Sequence, residues 1–212
     1  LKMKQLVIIG AGGHGKEVAF LTERLPEYEL LGFLDDNKVG ETVCGISVLG
    51  KIKDIQNMPA ETCIAFGIAN PNFKFEVYKK IIEKYCGSYE FPNLIDPTAL
   101  IGINVEFGEG NIVMPYTTFT ADIAIGGFNM INIGCTIGHD VKMKDFNALY
   151  PSVNVSGNVH IKSKSEIGVG SQIIQNIHIG EATIIGAGSV ILKDVRDSEK
   201  VVGVPGRVIS GR

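Results

Sequence analysis

The sequence predicts two successive folds: an α/β domain over residues 1–92, then an all-β parallel β-helix over residues 93–212. Three observations carry this. Short apolar runs alternate with helix-like segments in the first part. A glycine loop joins the first such run to the first helix. From residue 95 onward a large apolar residue returns at every sixth position.

QLVIIG (5–10) has the length and composition of a buried parallel strand. AGGHGKEVAFLTERL follows, with Val18, Leu21 and Leu25 at helical spacing. YELLGFLDD (28–36) reads as a second strand ending in two acids, and TCIAFGIANP (62–71) as a third. Asn70–Pro71 then opens a helix, because proline suits a first turn where its missing N–H is not needed. Phe73, Val77, Ile81 and Tyr85 recur every four residues along it.

Gly10, Gly12 and Gly15 fit G-x-G-x-x-G between strand and helix, and Asp35 stands where a ribose-binding acid would stand in a Rossmann-like domain. Bare N–H groups at a helix N-terminus suit a phosphate. A tight strand-to-helix turn without a ligand is the other reading of the same residues. A complete dinucleotide dehydrogenase is disfavoured, since about 90 residues fall short of the two-half fold.

The six-residue ruler runs Ile95, Ile101, Phe107, Val113, Phe119, Ile125, Ile131, Ile137, Met143, Leu149, Val155, Ile161, Ile167, Ile173, Ile179, Ile185, Ile191. Neither an α-helix nor an amphipathic strand has this period; hexapeptide repeats are the mark of a parallel β-helix. Four residues after each large residue comes a second, smaller inward position: Ala99, Val105, Asn111, Thr117, Ile123, Asn129, Cys135, Val141 and so on to Val195. Three hexads close one triangular coil, and stacked coils bury a continuous column. The unbroken period predicts no long excursion loop between 95 and 191.

Few residues depart from the ruler. Cys135 falls on a small inward position and reads as core, since a reactive thiol should be accessible and activated. His160 and His178 stack one coil apart, pointing outward; they read as surface histidines, or as a metal pair without an obvious third ligand. His139 stands two residues past inward Ile137, beside Asp140, where Gly157 stands one coil later. A neutral imidazole takes a proton near pH 7, and a carboxylate on its other nitrogen fixes the tautomer. A surface His–Asp pair with no chemical role accounts for these residues equally well.

A net charge of −3 gives no basic footprint for nucleic acid, and no run reaches the ~20 apolar residues of a membrane helix. The opening LKMKQLVIIGAGG lacks the apolar core and cleavage site of a signal peptide. The four cysteines (Cys44, Cys63, Cys86, Cys135) lack CxxC spacing and read as buried thiols of a cytoplasmic protein.

Taken together, VIIGAGGHGKEV, GFLDD, IGHDVKMKDF, VSGNVHI, IGAGSVILKDV and VVGVPGRVI resemble the sialic-acid O-acetyltransferase/PglD-type family of bacterial sugar acyltransferases, over nearly the whole chain. The resemblance implies a left-handed β-helix and a homotrimer with active sites between adjacent columns. It implies acetyl-CoA as co-substrate, with no metal. It puts the catalytic base on His139 and the acid that raises its basicity on Asp140. Gly12, Gly13, His14, Asp35, Asp36 and, more weakly, Gly67 would hold the nucleotide sugar. Gly157 and backbone near Val169 and Ala187 would hold acetyl-CoA. Relatives carry a cofactor-contacting histidine where this chain has Ala148, so that contact is either lost or replaced, with Asn147 as the candidate; where their junction reads Leu-Ile-His-Pro this chain has Asp96 for the histidine, to which no role is assigned.

The expected reaction is N-acetylation of a UDP- or dTDP-4-amino-4,6-dideoxyhexose for surface glycans such as O-antigen. Sialic-acid-type O-acetylation is the alternative within the class. A zinc-dependent hydratase and a non-catalytic nucleotide-sugar-binding protein are alternatives outside it.

Overall fold

The computed structural model describes residues 3–59, 61–85 and 89–210. The chain divides into two compact units, Leu1–Leu94 and Ile95–Arg212.

The first unit is built on β1 (Lys4–Ile9), α1 (Gly13–Glu23), β2 (Tyr28–Leu34), β3 (Thr42–Val43), β4 (Ile46–Gly50), β5 (Cys63–Phe66) and α2 (Pro71–Lys84). The sheet order is β3-β4-β2-β1-β5, parallel except for the β3–β4 hairpin. Leu6, Val7, Ile8 and Ile9 are wholly buried, as a central parallel strand requires. The chain leaves β1 toward β2 on one side and returns as β5 on the other, so β1 marks the switch point where open α/β sheets bind ligands. Gly15 packs on the carbonyl of Gly10, and a Cβ added there would collide with it. Gly67 presses on the same carbonyl.

The α2 cap is as expected: the Asn70 side chain accepts from Phe73 N at 2.9 Å, with Pro71 in the first turn. Its buried face holds only part of the four-residue series. Val77 and Ile81 are buried, but Phe73 is 57% exposed and Lys74 lies inside instead. The four-residue period drifts around a 3.6-residue helix, so the buried face takes in Pro71 and Lys74 and leaves Phe73 out. The β3–β4 hairpin and a 3₁₀ turn at Ile52–Asn57 have no counterpart in the sequence reading. Cys44 sits exposed in that hairpin, at φ 50, which corrects its assignment as a buried thiol. Cys63 and Cys135 are buried, and burial pushes both thiols up to about 11. Cys86 lies outside the described residues.

The second unit is a parallel β-helix. Thr136, Asn154, Gln172 and Val190 are in register on one face. Lys142, His160 and His178 form the second face, and Met130, Ala148, Glu166 and Ile184 the third. The ruler residues from Val113 to Ile191 fill one continuous core. Corners recur with the same period, and the backbone there is left-handed: Tyr116, Asp122, Phe128, Gly134, Asp140, Phe146, Ser152 and Asn158 all have φ near +60°.

The small inward positions build a polar ladder inside one edge of the column. Asn129 N donates to Asn111 Oδ1 (3.0 Å), Asn147 N to Asn129 Oδ1 (2.8 Å) and Ser165 N to Asn147 Oδ1 (2.9 Å). Each buried amide thereby satisfies a backbone donor one coil away. The register changes only at the end. Val195 bridges Ile179, sixteen residues back, and so fills the large position rather than the small one expected for it. Lys200–Val202 then pairs antiparallel with Arg207–Ser210.

Candidate functional site

His139 and Asp140 occupy one corner of the column. Asp140 N donates to Ala121 O (3.1 Å), and Asn158 N donates to His139 O (2.8 Å), so the coils on either side fix this backbone. Asp140 has φ 59, a conformation that aspartate accepts more readily than most residues. Its carboxylate therefore serves a corner as well as a neighbour. His139 Nδ1 lies 2.7 Å from Asp140 Oδ2. A carboxylate only accepts, so Nδ1 carries a proton, and in the neutral ring Nε2 is left as the acceptor. Among the described residues Nε2 has no protein partner. The side chains are 69% and 56% exposed.

The imidazole lies over Gly157, the equivalent corner residue one coil on. A Cβ at Gly157 would stand 2.5 Å from both Cε1 and Nε2. The glycine is thus the floor on which the ring rests. Val169 and Ala187 are exposed and stacked on a different edge of the column, so a single column does not bring them to His139.

Two residues of the expected cofactor set are corrected. Ala148 is 0% exposed and presents no surface to a ligand. Asn147 is equally buried and committed to the internal ladder, with Nδ2 also donating to Lys144 O at 3.0 Å, so it cannot replace the missing contact. Asp96 is structural. Its Oδ1 accepts from Thr98 N (2.8 Å) and Thr98 Oγ1 (2.6 Å), closing a turn at the start of the first coil.

The face that follows the His139 corner carries a groove with no counterpart in the sequence reading. Lys142, Lys144, His160, Lys162, His178 and Arg196, with Asp194 and Asp197, line a cavity of about 610 Å³. His160 and His178 meet edge to face, with ring centroids 4.9 Å apart. Desolvation lowers the His160 pKa, and the positive charges of His178 and Lys142 lower it further. Asp197 is held by Lys162 at 3.0 Å, while Lys142 and Lys144 form no ion pair among the described residues. Among the described residues no three His, Cys, Asp or Glu side chains are grouped to hold a metal, and no helix is long and apolar enough to cross a membrane.

In the first unit the expected residues come together. Gly12, Gly13, His14, Asp35, Asp36 and Gly67 line one cavity of about 350 Å³ at the carboxyl ends of β1, β2 and β5. Asp35 also holds the glycine loop, since Ala11 N donates to its Oδ2 (2.9 Å) and Asn37 N to its Oδ1 (2.9 Å). Asp36 Oδ1 accepts from Ile52 N at 2.9 Å. Lys38 Nζ donates to Ala11 O at 3.0 Å.

The family model for the PglD N-terminal domain matches residues 5–81. The acetyltransferase domain of PglB from Neisseria gonorrhoeae is 30% identical at a TM-score of 0.90, covering 97% of this chain and all of that one. The chain belongs to the PglD-type family of sugar N-acetyltransferases. WeeI from Acinetobacter baumannii is similar at 30% identity and a TM-score of 0.87, covering 96% of this chain and 99% of its own. Perosamine N-acetyltransferase from Caulobacter crescentus, solved as a histidine-to-asparagine mutant with CoA and GDP-perosamine, is 27% identical with a TM-score of 0.87, covering 97% of each chain. The PglB domain has also been solved with acetyl coenzyme A. An uncharacterized protein of Acanthamoeba polyphaga mimivirus is 34% identical over 117 residues, 54% of this chain. This chain spans only 22% of that relative's length.

Proposed function

We propose that this chain transfers the acetyl group of acetyl-CoA to the amine of a nucleotide-linked amino sugar, with His139 as general base. The observation that carries the reading is the corner pair: a ring held by Asp140 at 2.7 Å on Nδ1, with Nε2 open above Gly157. As the sugar nitrogen attacks the thioester carbonyl, Nε2 takes the amine proton. A backbone N–H stabilises the oxyanion, typically worth ~3 kcal/mol. The C–S bond then breaks, and the proton passes from His139 to the departing thiolate. No covalent enzyme intermediate is required, because the thioester is already activated.

The cavity of the first unit holds the nucleotide, its N–H-rich loop facing the phosphates. The basic groove of Lys142, Lys144, Lys162 and Arg196 suits the phosphates of CoA, and Gly157, Val169 and Ala187 supply the backbone around its thiol arm. Val169 and Ala187 lie on another edge than His139, so a complete site needs a second column, and a homotrimer is the simplest closed arrangement. A reaction that consumes acetyl-CoA belongs in the cytoplasm. GDP-perosamine in the Caulobacter enzyme widens the acceptor set beyond UDP- and dTDP-4-amino-4,6-dideoxyhexoses to GDP-linked sugars.

The test is release of free CoA from acetyl-CoA with a panel of UDP-, dTDP- and GDP-linked amino sugars. Acetylation of one or more of them is expected. No CoA release with any amino sugar, or acetylation of free sialic acid alone, overturns the reading.

A further inference from the structure

Two buried nitrogen bases belong to the cavity of the first unit, His14 in its wall and Lys74 next to the wall residue Phe73. His14 lines the cavity with its side chain only 5% exposed. Its Nδ1 meets Glu17 Oε2 at 2.9 Å, whereas its Nε2 is buried without a hydrogen-bond partner. Lys74, on the first turns of α2, is 1% exposed, although its neighbour Phe73 opens onto the cavity. Lys74 is near enough to His14 for its charge to oppose protonation of the ring. The other charged groups here are Glu17 on α1, Asp35 and Asp36 after β2, and Lys38 beyond them.

We propose that His14 and Lys74 form a charge-compensating pair at the nucleotide cavity, and that binding of a nucleotide's diphosphate is coupled to uptake of a proton by this pair. The inference rests on the nucleotide-binding reading of the cavity. A buried ammonium without bulk water is costly, so burial pushes Lys74 down to about 7. Burial lowers His14 first, and Lys74 adds to it, while Glu17 opposes. Two neighbouring cations are therefore disfavoured in the empty cavity. A diphosphate brings negative charge against the glycine loop, which favours the protonated form of both bases. The proton comes from solvent, and the pair returns it when the nucleotide leaves. Lys74 and His14 are positioning residues in this scheme, matching the ligand's charge.

Calorimetric titration of the full chain with UDP, dTDP and GDP, in HEPES and in Tris, measures the proton directly, because the two buffers have different ionisation heats. At pH 8 an uptake of about 0.4–0.8 proton per nucleotide is expected if binding raises Lys74 by one unit or more. Affinity should fall roughly tenfold from pH 7 to pH 9. Lys74→Met should abolish the uptake at pH 8 and flatten the pH dependence. His14→Gln should leave the uptake at pH 8 and reduce that at pH 6.5 to the roughly 0.2 proton that Lys74 alone takes up there. Nucleotide binding with the same heat in both buffers overturns the inference while leaving the binding site intact. Undiminished uptake in a folded Lys74→Met variant overturns the assignment to Lys74. If none of the three nucleotides binds, the nucleotide reading falls and this inference with it. The wild-type measurement decides even if a variant fails to fold.

Discussion

Gly157→Ala should disable the chemistry without disturbing the fold. The added methyl would stand 2.5 Å from His139 Cε1 and Nε2 and 3.0 Å from Cδ2. Ordinary contact between such atoms is about 3.5 Å or more, so the ring must retreat by roughly 1 Å. Its Nδ1 is held at 2.7 Å to Asp140, and a retreat of that size breaks or bends this bond. A misplacement of ~1 Å costs a reacting group about 10²-fold, or ~2.7 kcal/mol of barrier. We therefore expect kcat to fall by about 10², with KM for both substrates little changed. The backbone itself accepts alanine, since Gly157 lies outside the left-handed region, unlike Gly170 and Gly188 on another corner. Thermal stability should move by no more than about 0.5 kcal/mol. Steady-state kinetics by CoA release, alongside a melting curve, make the comparison. Wild-type kcat in a folded variant would refute the idea that the ring must rest on this glycine. An unchanged kcat with a raised KM for acetyl-CoA would leave Gly157 its cofactor contact alone, with no part in placing the ring.

Three further outcomes are expected. Asp140→Asn keeps a residue suited to left-handed backbone but loses the acceptor that orients the ring; kcat should drop roughly 10²-fold, less than the ~10⁴ seen when a buried triad loses its carboxylate, as steady-state rates will show. Asn129→Ala removes the acceptor of buried Asn147 N, while Asn111 Oδ1 keeps its bond from Asn129 N; denaturant unfolding should show a loss of about 1–3 kcal/mol for the one orphaned donor. Lys74 is depressed to about 7 when folded and titrates near 10.4 when unfolded, so the unfolded chain binds more protons between those values and stability rises with pH across that window. From pH 7 to pH 9 the gain should approach 2–3 kcal/mol, and Lys74→Met should remove this slope while raising stability at pH 7.

The β-helix was legible because its core has one repeating requirement, a large apolar side chain at each turn of the ruler, and Ile137 or Ile173 meets it without help from distant sequence. The corners were not legible, although they are equally periodic. Left-handed backbone is held there by the stacked ladder, so Tyr116, Phe128 and Phe146 serve beside asparagine and glycine. The polar ladder was half visible: Asn111, Asn129 and Asn147 stood on inward positions, but their mutual bonds exist only once the coils stack. The same stacking exposed the error at Asn147. Lys74 was hidden for another reason: a lysine on an amphipathic helix reads as a solvated face, whereas in the folded unit it is 1% exposed. In the candidate site, the histidine and its carboxylate were visible as neighbours in sequence. Their floor at Gly157 and the basic groove beside them depend on residues a whole coil apart.

The central claim is that His139 removes the proton from an amine attacking acetyl-CoA. Its most direct test measures CoA release and N-acetylated sugar together, by thiol assay and mass spectrometry, for the wild type and for a folded His139→Ala variant. The panel of UDP-, dTDP- and GDP-linked amino sugars should yield one CoA per acetylated amine in the wild type. The variant's kcat should fall by ~10²–10⁴. Wild-type turnover by His139→Ala, or CoA release without an acetylated amine, would contradict the account.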